Sequence, residues 1–238
     1  MDLGLRGKVA IVTGSSDGIG YGVAHALAEE GVRVVLCARR ESLLAEVRQA
    51  IERETGAEVF AVPCDVQRLN DVQSLVKETA RRFGAIHILV NNAGSVPSIQ
   101  FASVEDAQWH QMLEGKLLGY IRVTRETVPY MERAGWGRII NIAGTAGWEP
   151  SNMAMATGVN NAAVINWTKS MSLQYADRGI LVTTVAPGSI ETPRQVRNRQ
   201  READVSNIPL RRLGRVEEVA SVVVFLASER SSYMREAV

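Results

Sequence analysis

The sequence has little cysteine: Cys37 and Cys64 are the only two in 238 residues. Two thiols make no disulfide framework, and neither a structural nor a catalytic metal site is expected from them. Charge of one sign is also missing. Lysine and arginine total 27 against 26 acids, a formal charge of +1, which gives no electrostatic reason to expect a nucleic acid or an anionic membrane as partner. Nowhere is there a run of about 18 apolar residues, the length a spanning helix needs. The start, Met1 to Lys8, lacks the apolar stretch of a signal peptide. Repeats, low-complexity stretches and Pro/Gly/Ser-rich linkers are absent too. With 46% hydrophobic and 22% charged residues the composition is globular. The expectation is a cytoplasmic protein with no membrane partner, built as one domain over residues 1–238.

Alternation fills the space these absences leave. Short apolar, often β-branched runs occupy 9–13, 32–37, 59–63, 86–90, 138–143 and 180–186. Between them, residues 18–30, 40–55, 69–83, 104–132, 155–177 and 215–228 carry apolar side chains at helical spacing. The short runs are continuously apolar, as strands buried on both faces are. Strands alternating with helices predict an α/β fold with a doubly wound parallel sheet of Rossmann type.

The first run opens directly into Thr13-Gly14-Ser15-Ser16-Asp17-Gly18-Ile19-Gly20, ahead of a helix. Glycines let a backbone turn sharply and approach a pyrophosphate, which then sits on the helix N-terminus. They also serve ordinary strand-to-helix turns, but a place after the first strand of a βαβ unit favours nucleotide binding. Gly14, Ser16, Asp17, Ile19 and Gly20 are the candidates here.

This glycine spacing, together with Asn91-Asn92-Ala93-Gly94, Cys64-Asp65-Val66, Pro187-Gly188-Ser189-Ile190-Glu191-Thr192 and Pro209 to Arg215, resembles the short-chain dehydrogenase/reductase family. The resemblance runs along essentially the whole chain. It implies that Asp65 and Val66 contact an adenine, and that Asn92, Ala93 and Gly94 line the riboses. It implies further that Pro187, Gly188, Ile190 and Thr192 hold a nicotinamide carboxamide. Asp65 could instead cap a turn, and Asn92 could satisfy buried backbone groups. Where members that take NAD usually carry an acid, this chain has Ala38, followed by Arg39 and Arg40. A guanidinium suits a 2′-phosphate, so NADP is expected ahead of NAD, with Arg39 at the phosphate. Asp17 points the other way, because NADP-preferring relatives often carry a base there, and both arginines could simply be a solvated helix start.

The resemblance also implies a catalytic serine, tyrosine and lysine, with an asparagine on the preceding helix. Those positions fall on Gly144, Thr157, Asn161 and Lys116. The chain is therefore identified as a divergent member, with Lys where the family has Asn and Asn where it has Lys. No tyrosine lies between Tyr130 and Tyr175 to restore the pattern by a slip. Lys116 and Asn161 could keep a cation and an amide in one cluster; alternatively Lys116 snorkels to solvent. Thr157 has only an aliphatic hydroxyl, a far weaker acid than a phenol of pKa about 10. Losing a general acid typically costs about 10²–10⁴ in rate. Glu149 is a substitute acid if it is not simply solvated.

A substrate lid is expected around 192–208, where Arg194, Arg197, Arg199 and Arg201 could draw an anionic small molecule or form a solvated helix face. The long helices 104–132 and 155–177 are expected to pair in a homodimer or homotetramer. The function expected is that of an NADP-dependent oxidoreductase acting on a carbonyl or alcohol through a non-standard site. A lyase or isomerase on the same scaffold, or an inactive nucleotide-binding protein, are the alternatives.

Overall fold

Each apolar run becomes a parallel strand. The computed structural model describes residues 1–94, 103–150, 155–193, 196 and 205–234. Its strands are β1 (Val9–Thr13), β2 (Arg33–Ala38), β3 (Val59–Pro63), β4 (Ile88–Asn91), β5 (Gly137–Ile142) and β6 (Ile180–Val185). They form one sheet in the order β3-β2-β1-β4-β5-β6, every pair parallel. The helices are α1 (Gly18–Glu29), α2 (Glu41–Thr55), α3 (Leu69–Phe83), α4 (Asp106–Leu113), α5 (Gly119–Ala134), α6 (Met155–Tyr175) and α7 (Val216–Ala227). Successive strand residues point to opposite faces. Leu36 and Val34 therefore join Leu27, Leu44 and Val223 in one core, while Val35 and Ile11 join Leu75, Leu89 and Met131 in the other. Burial on both faces explains the unbroken apolar runs.

The chain builds β1, β2 and β3 outward in one direction, then crosses back to place β4 on the other side of β1. A sheet wound this way leaves a crevice at the carboxyl ends of β1 and β4, where ligands bind in such folds. Among the described residues no helix is long and apolar enough to cross a membrane. Cys37 and Cys64 are buried free thiols, and no cluster of described residues is suited to a metal ion.

One expectation needs correcting. The helix read as continuous over 104–132 is interrupted by a π-helical turn, Glu114–Leu118, between α4 and α5. The chain passes very close to its neighbours there. A Cβ on Gly94 would stand 2.7 Å from the Gly115 carbonyl, and one on Gly119 would stand 2.9 Å from Val66 Cγ2. The wider turn carries Lys116 at its centre, and π turns of this kind recur at functional sites.

Candidate active site

At the end of β1 the glycine loop is fastened to the end of β4. Asn92 Nδ2 donates to the Thr13 and Gly14 carbonyls at 2.9 and 3.2 Å. Thr13 Oγ1 accepts from the Asn92 and Ala93 amides at 2.9 and 3.0 Å. The Asn92 side chain thus satisfies buried backbone groups and fixes the crevice walls. Glycine at Gly14 (φ 67°) and Gly20 is required on steric grounds. A Cβ would come within 2.9 Å of Ala93 Cα at the first and 2.3 Å of the Gly14 carbonyl at the second.

The other nucleotide-side candidates lie on the α1 start and on the segments that follow the carboxyl ends of β3 and β6. Thr192 lies over the start of α1, its Cγ2 3.3 Å from where a Gly18 Cβ would be. Pro187 accepts from the Thr145 amide at 3.2 Å, tying the loop after β6 to that after β5. Ile190 bridges to Gly214 and packs against the core beside α7, as partly buried Ile19 does. Gly188 has open space where a Cβ would go. Asp65 Oδ1 accepts from the Gln67 amide at 3.1 Å, which is the turn-capping arrangement, and Val66 is buried against Gly119.

Of the two arginines, Arg40 is the one that reaches back to the loop. Its Nη2 lies 3.1 Å from Asp17 Oδ2 and 3.4 Å from Ser16 Oγ. Arg39 is exposed at the end of β2. The sequence offers both guanidinia to a 2′-phosphate, with Arg39 expected there. The chance to pair with Asp17 was the signal for Arg40.

Beyond the crevice, the carboxyl end of β5 meets α6 and the π turn. Lys116 is only 8% exposed. Its Nζ lies 3.4 Å from the Ala143 carbonyl oxygen and 5.9 Å from the centroid of the Tyr120 ring. A surface lysine snorkelling to solvent is therefore excluded. Burial pulls its ammonium pKa down to about 8. Tyr120 is fully enclosed, donates to the Ile142 carbonyl at 3.0 Å, and has its phenol pushed upward by burial.

Asn161 is 2% exposed, and its Oδ1 has no hydrogen-bond partner among the described residues. Its Nδ2 would stand 2.8 Å from a Gly144 Cβ, so the bare glycine makes room for the amide. Thr157 lies one helical turn before Asn161, on the same side of α6. Glu149 is exposed. Arg194, Arg197, Arg199 and Arg201, which carry the expected lid, lie outside the described residues.

A family model described as enoyl-(acyl carrier protein) reductase matches residues 14–237. The chain belongs to the short-chain dehydrogenase/reductase family. It is 38% identical to an L-fucose dehydrogenase of Bos taurus, over 96% of this chain and 87% of that one. It is 36% identical to a 3-oxoacyl-(acyl-carrier-protein) reductase of Vibrio harveyi, over 98% and 94%. L-sorbose reductase of Gluconobacter frateurii, solved with NADPH and L-sorbose, superposes with a TM-score of 0.94 at 31% identity, covering 100% of this chain and 97% of that one. An actinorhodin polyketide ketoreductase solved with NADPH gives 0.90 at 32% identity, covering 97% and 94%.

Within this short-chain dehydrogenase/reductase fold, two parts of the site were not legible beforehand. One is the Ala143 carbonyl, a backbone group that no residue pattern announces. The other is Tyr120, whose place four residues after Lys116 would have put it on the same helix face in a regular helix.

Proposed function

We propose that this chain is an NADP-dependent oxidoreductase acting on a carbonyl or alcohol, with a proton-transfer site built from Lys116 and Asn161 beside Thr157. The buried Lys116 amine at the Ala143 carbonyl is the observation that carries this reading. In place of the family's serine, tyrosine and lysine stand Gly144, Thr157 and Asn161, and the first and third fit one another sterically.

The crevice fits a dinucleotide. Gly14 and Gly20 let the loop after β1 close against Asn92 and Ala93, Gly188 borders open space, and the N-terminus of α1 offers free amides to a pyrophosphate. Asp65, Val66, Asn92 and Ala93 would border the adenosine and the nicotinamide ribose, and the loop Pro187 to Thr192 the carboxamide. Arg39 and Arg40 would take a 2′-phosphate, which suits NADP better than NAD. When bound, the cofactor supplies or accepts a hydride.

Lys116 then does the work of the missing phenol. Its ammonium gives up a proton to the oxygen of a carbonyl being reduced, directly or through one water, and the amine takes a proton back from an alcohol being oxidised. A pKa near 8 places both forms within reach of neutral pH. Asn161 Oδ1, buried without a partner among the described residues, would accept a hydrogen bond from that water or from the substrate. Thr157 is a secondary contact.

Lys116→Ala should lower turnover by roughly 10²-fold or more, as loss of a general acid does, while NADPH titration changes little. Thr157→Val should have a smaller effect. Turnover unchanged in Lys116→Ala would refute the role and move a lyase, isomerase or nucleotide-sensing reading ahead.

The reading extends to a cytoplasmic single-domain enzyme, with a lid expected around 192–208 and a small-molecule substrate. Pairing of α5 and α6 with those of a second copy would give a homodimer or homotetramer. The groove between these helices, lined by Ile121, Val128, Trp167, Met171 and Tyr175 together with the charged Arg125, Glu132 and Arg178, is the surface that supports this. A monomeric mass by light scattering at micromolar concentration would remove it.

A further inference from the structure

The chain has four lysines, Lys8, Lys77, Lys116 and Lys169, and only Lys116 is buried. A charged ammonium has three protons to place. Here the Ala143 carbonyl oxygen, at a long 3.4 Å, is the acceptor in reach. No carboxylate among the described residues pairs with Lys116. Glu114, two positions earlier on the π turn, is held by Arg122 at 2.7 Å. Among the described residues, what packs around the Lys116 side chain is uncharged: the Gly94 backbone, the Tyr120 ring and the Ala143 carbonyl. A neutral amine suits such surroundings better than an ammonium, because it has fewer protons to satisfy and keeps a lone pair.

We propose that Lys116 is a nucleophilic amine that condenses with an aldehyde or ketone in this site, giving the chain an imine-forming activity that needs no hydride transfer. The proposal rests on the reading that carbonyl substrates reach Lys116.

In the first step the Nζ lone pair attacks the carbonyl carbon and a C–N bond forms. The C=O π pair moves to the oxygen, which takes up a proton released by nitrogen. The C–O bond then breaks, its electron pair leaving on oxygen, which takes a proton from solvent water and departs as water while the nitrogen lone pair forms the C=N bond. Carbonyl, amine and one proton give protonated imine and water, with no oxidant or reductant consumed. The protonated imine keeps the positive charge at nitrogen, against the Ala143 carbonyl and within about 6 Å of the Tyr120 ring, the reach of a cation–π contact. Tyr120 is fixed for this by its bond to the Ile142 carbonyl. The lowered pKa agrees with the geometry, since it leaves a larger share of free amine near neutral pH than an ordinary lysine has.

Incubating the full chain with acetone and sodium cyanoborohydride, without nucleotide, would trap the imine as an isopropyl-lysine that peptide mass mapping can locate. Lys116 should be modified roughly tenfold or more faster than Lys77 or Lys169 near neutral pH, because its free-amine share, larger by about a hundredfold or more, outweighs its burial and lower basicity. The three remaining lysines serve as internal controls in the same molecule, so the result does not depend on a variant that folds. Lys116→Arg should remove that one modification and leave the others. Lys116 modified no faster than Lys77 and Lys169 would overturn the proposal. A chain that reduces carbonyls with NADPH but leaves Lys116 unmodified loses the imine activity and keeps the proposed oxidoreductase function. Fast modification of Lys116 in a chain that reduces no carbonyl reverses that outcome.

Discussion

From β3 to β1 the sheet is filled with valine, leucine, isoleucine and alanine, and Thr13, at the loop, is its one buried polar strand residue. From β4 to β6 the same layer holds Asn91, Asn141, Thr183 and Thr184, faced by Thr124 on α5 and Thr168 and Ser172 on α6. Asn91 Nδ2 donates to Thr124 at 3.0 Å and to Asn141 Oδ1 at 2.8 Å, and Asn141 Nδ2 donates to Thr168 at 2.8 Å. Every buried side-chain oxygen without a partner among the described residues belongs to this second half. Apolar packing is non-directional and needs only shape. Hydrogen bonds are directional, so the polar half fixes how α5 and α6 lie on β4 and β5. Those two helices carry Tyr120, Thr157 and Asn161, and the turn leading into α5 carries Lys116. One half supplies stability, and the other gives up some of it for placement.

The comparison is broken most forcefully in the apolar half. Leu36 is fully buried on β2, and Leu36→Ala should cost about 2–5 kcal/mol, the sum of lost transfer energy and a residual cavity. Urea unfolding would measure it, and a cost below about 1 kcal/mol would mean that this half is not tightly packed.

In the polar half the expected losses are smaller and of a different kind. Asn141→Ala strips a partner from both Asn91 and Thr168 and should cost about 1–3 kcal/mol. Replacing both asparagines by leucine, of similar shape, should recover part of that, because the Asn91–Asn141 pair is removed together and the Thr124 and Thr168 hydroxyls lose one partner each. A double variant that retains stability yet loses turnover would establish that the network serves placement. Equal retention of both would refute it.

The same contrast explains what the sequence made legible. Strand positions came within one or two residues, because continuous β-branched runs report burial on both faces. The glycine loop was legible because its geometry leaves no room for a Cβ at Gly14 or Gly20. The π turn was not, since it arises from the close passage of Gly115 and Gly119 against residues distant in the chain. Nor was the burial of Lys116, which depends on where that turn points. For the arginines, the missing acid at Ala38 points to a guanidinium without choosing between neighbours, and the contact with the loop belongs to Arg40.

Arg40 sharpens the comparison at the nucleotide end. If it turns from Asp17 to a 2′-phosphate, Arg40→Ala should weaken NADPH by about 1–2 kcal/mol and leave NADH almost unchanged. The low end of the range applies because Asp17 competes for the same guanidinium. Arg39→Ala, tested beside it by fluorescence titration, separates the two. Equal loss for both nucleotides would remove either arginine from discrimination.

The smallest effect lies on the seam between the halves. His87 precedes β4: its amide donates to the Val9 carbonyl at 2.9 Å, and its Nδ1 accepts from the Val9 amide at 3.1 Å. Its carbonyl accepts from the Arg138 amide at 2.9 Å, so one residue joins β1 to β5. Accepting at Nδ1 requires the neutral ring with its proton on Nε2. Burial lowers the pKa of His87, and Lys8 and Arg33 lower it further. The unfolded chain then binds a proton at the ordinary histidine pKa of about 6.5, before the folded chain does. Stability from this group is therefore complete above that pH, declines as pH falls through it, and stops declining once the lower folded pKa is passed. His87→Asn offers an oxygen near the Nδ1 position and does not titrate. The drop in urea midpoint from about pH 7.5 to about pH 5.5, which bracket the ordinary histidine pKa, should be smaller in that variant than in the parent chain. An identical drop in both would show that the seam does not sense protons.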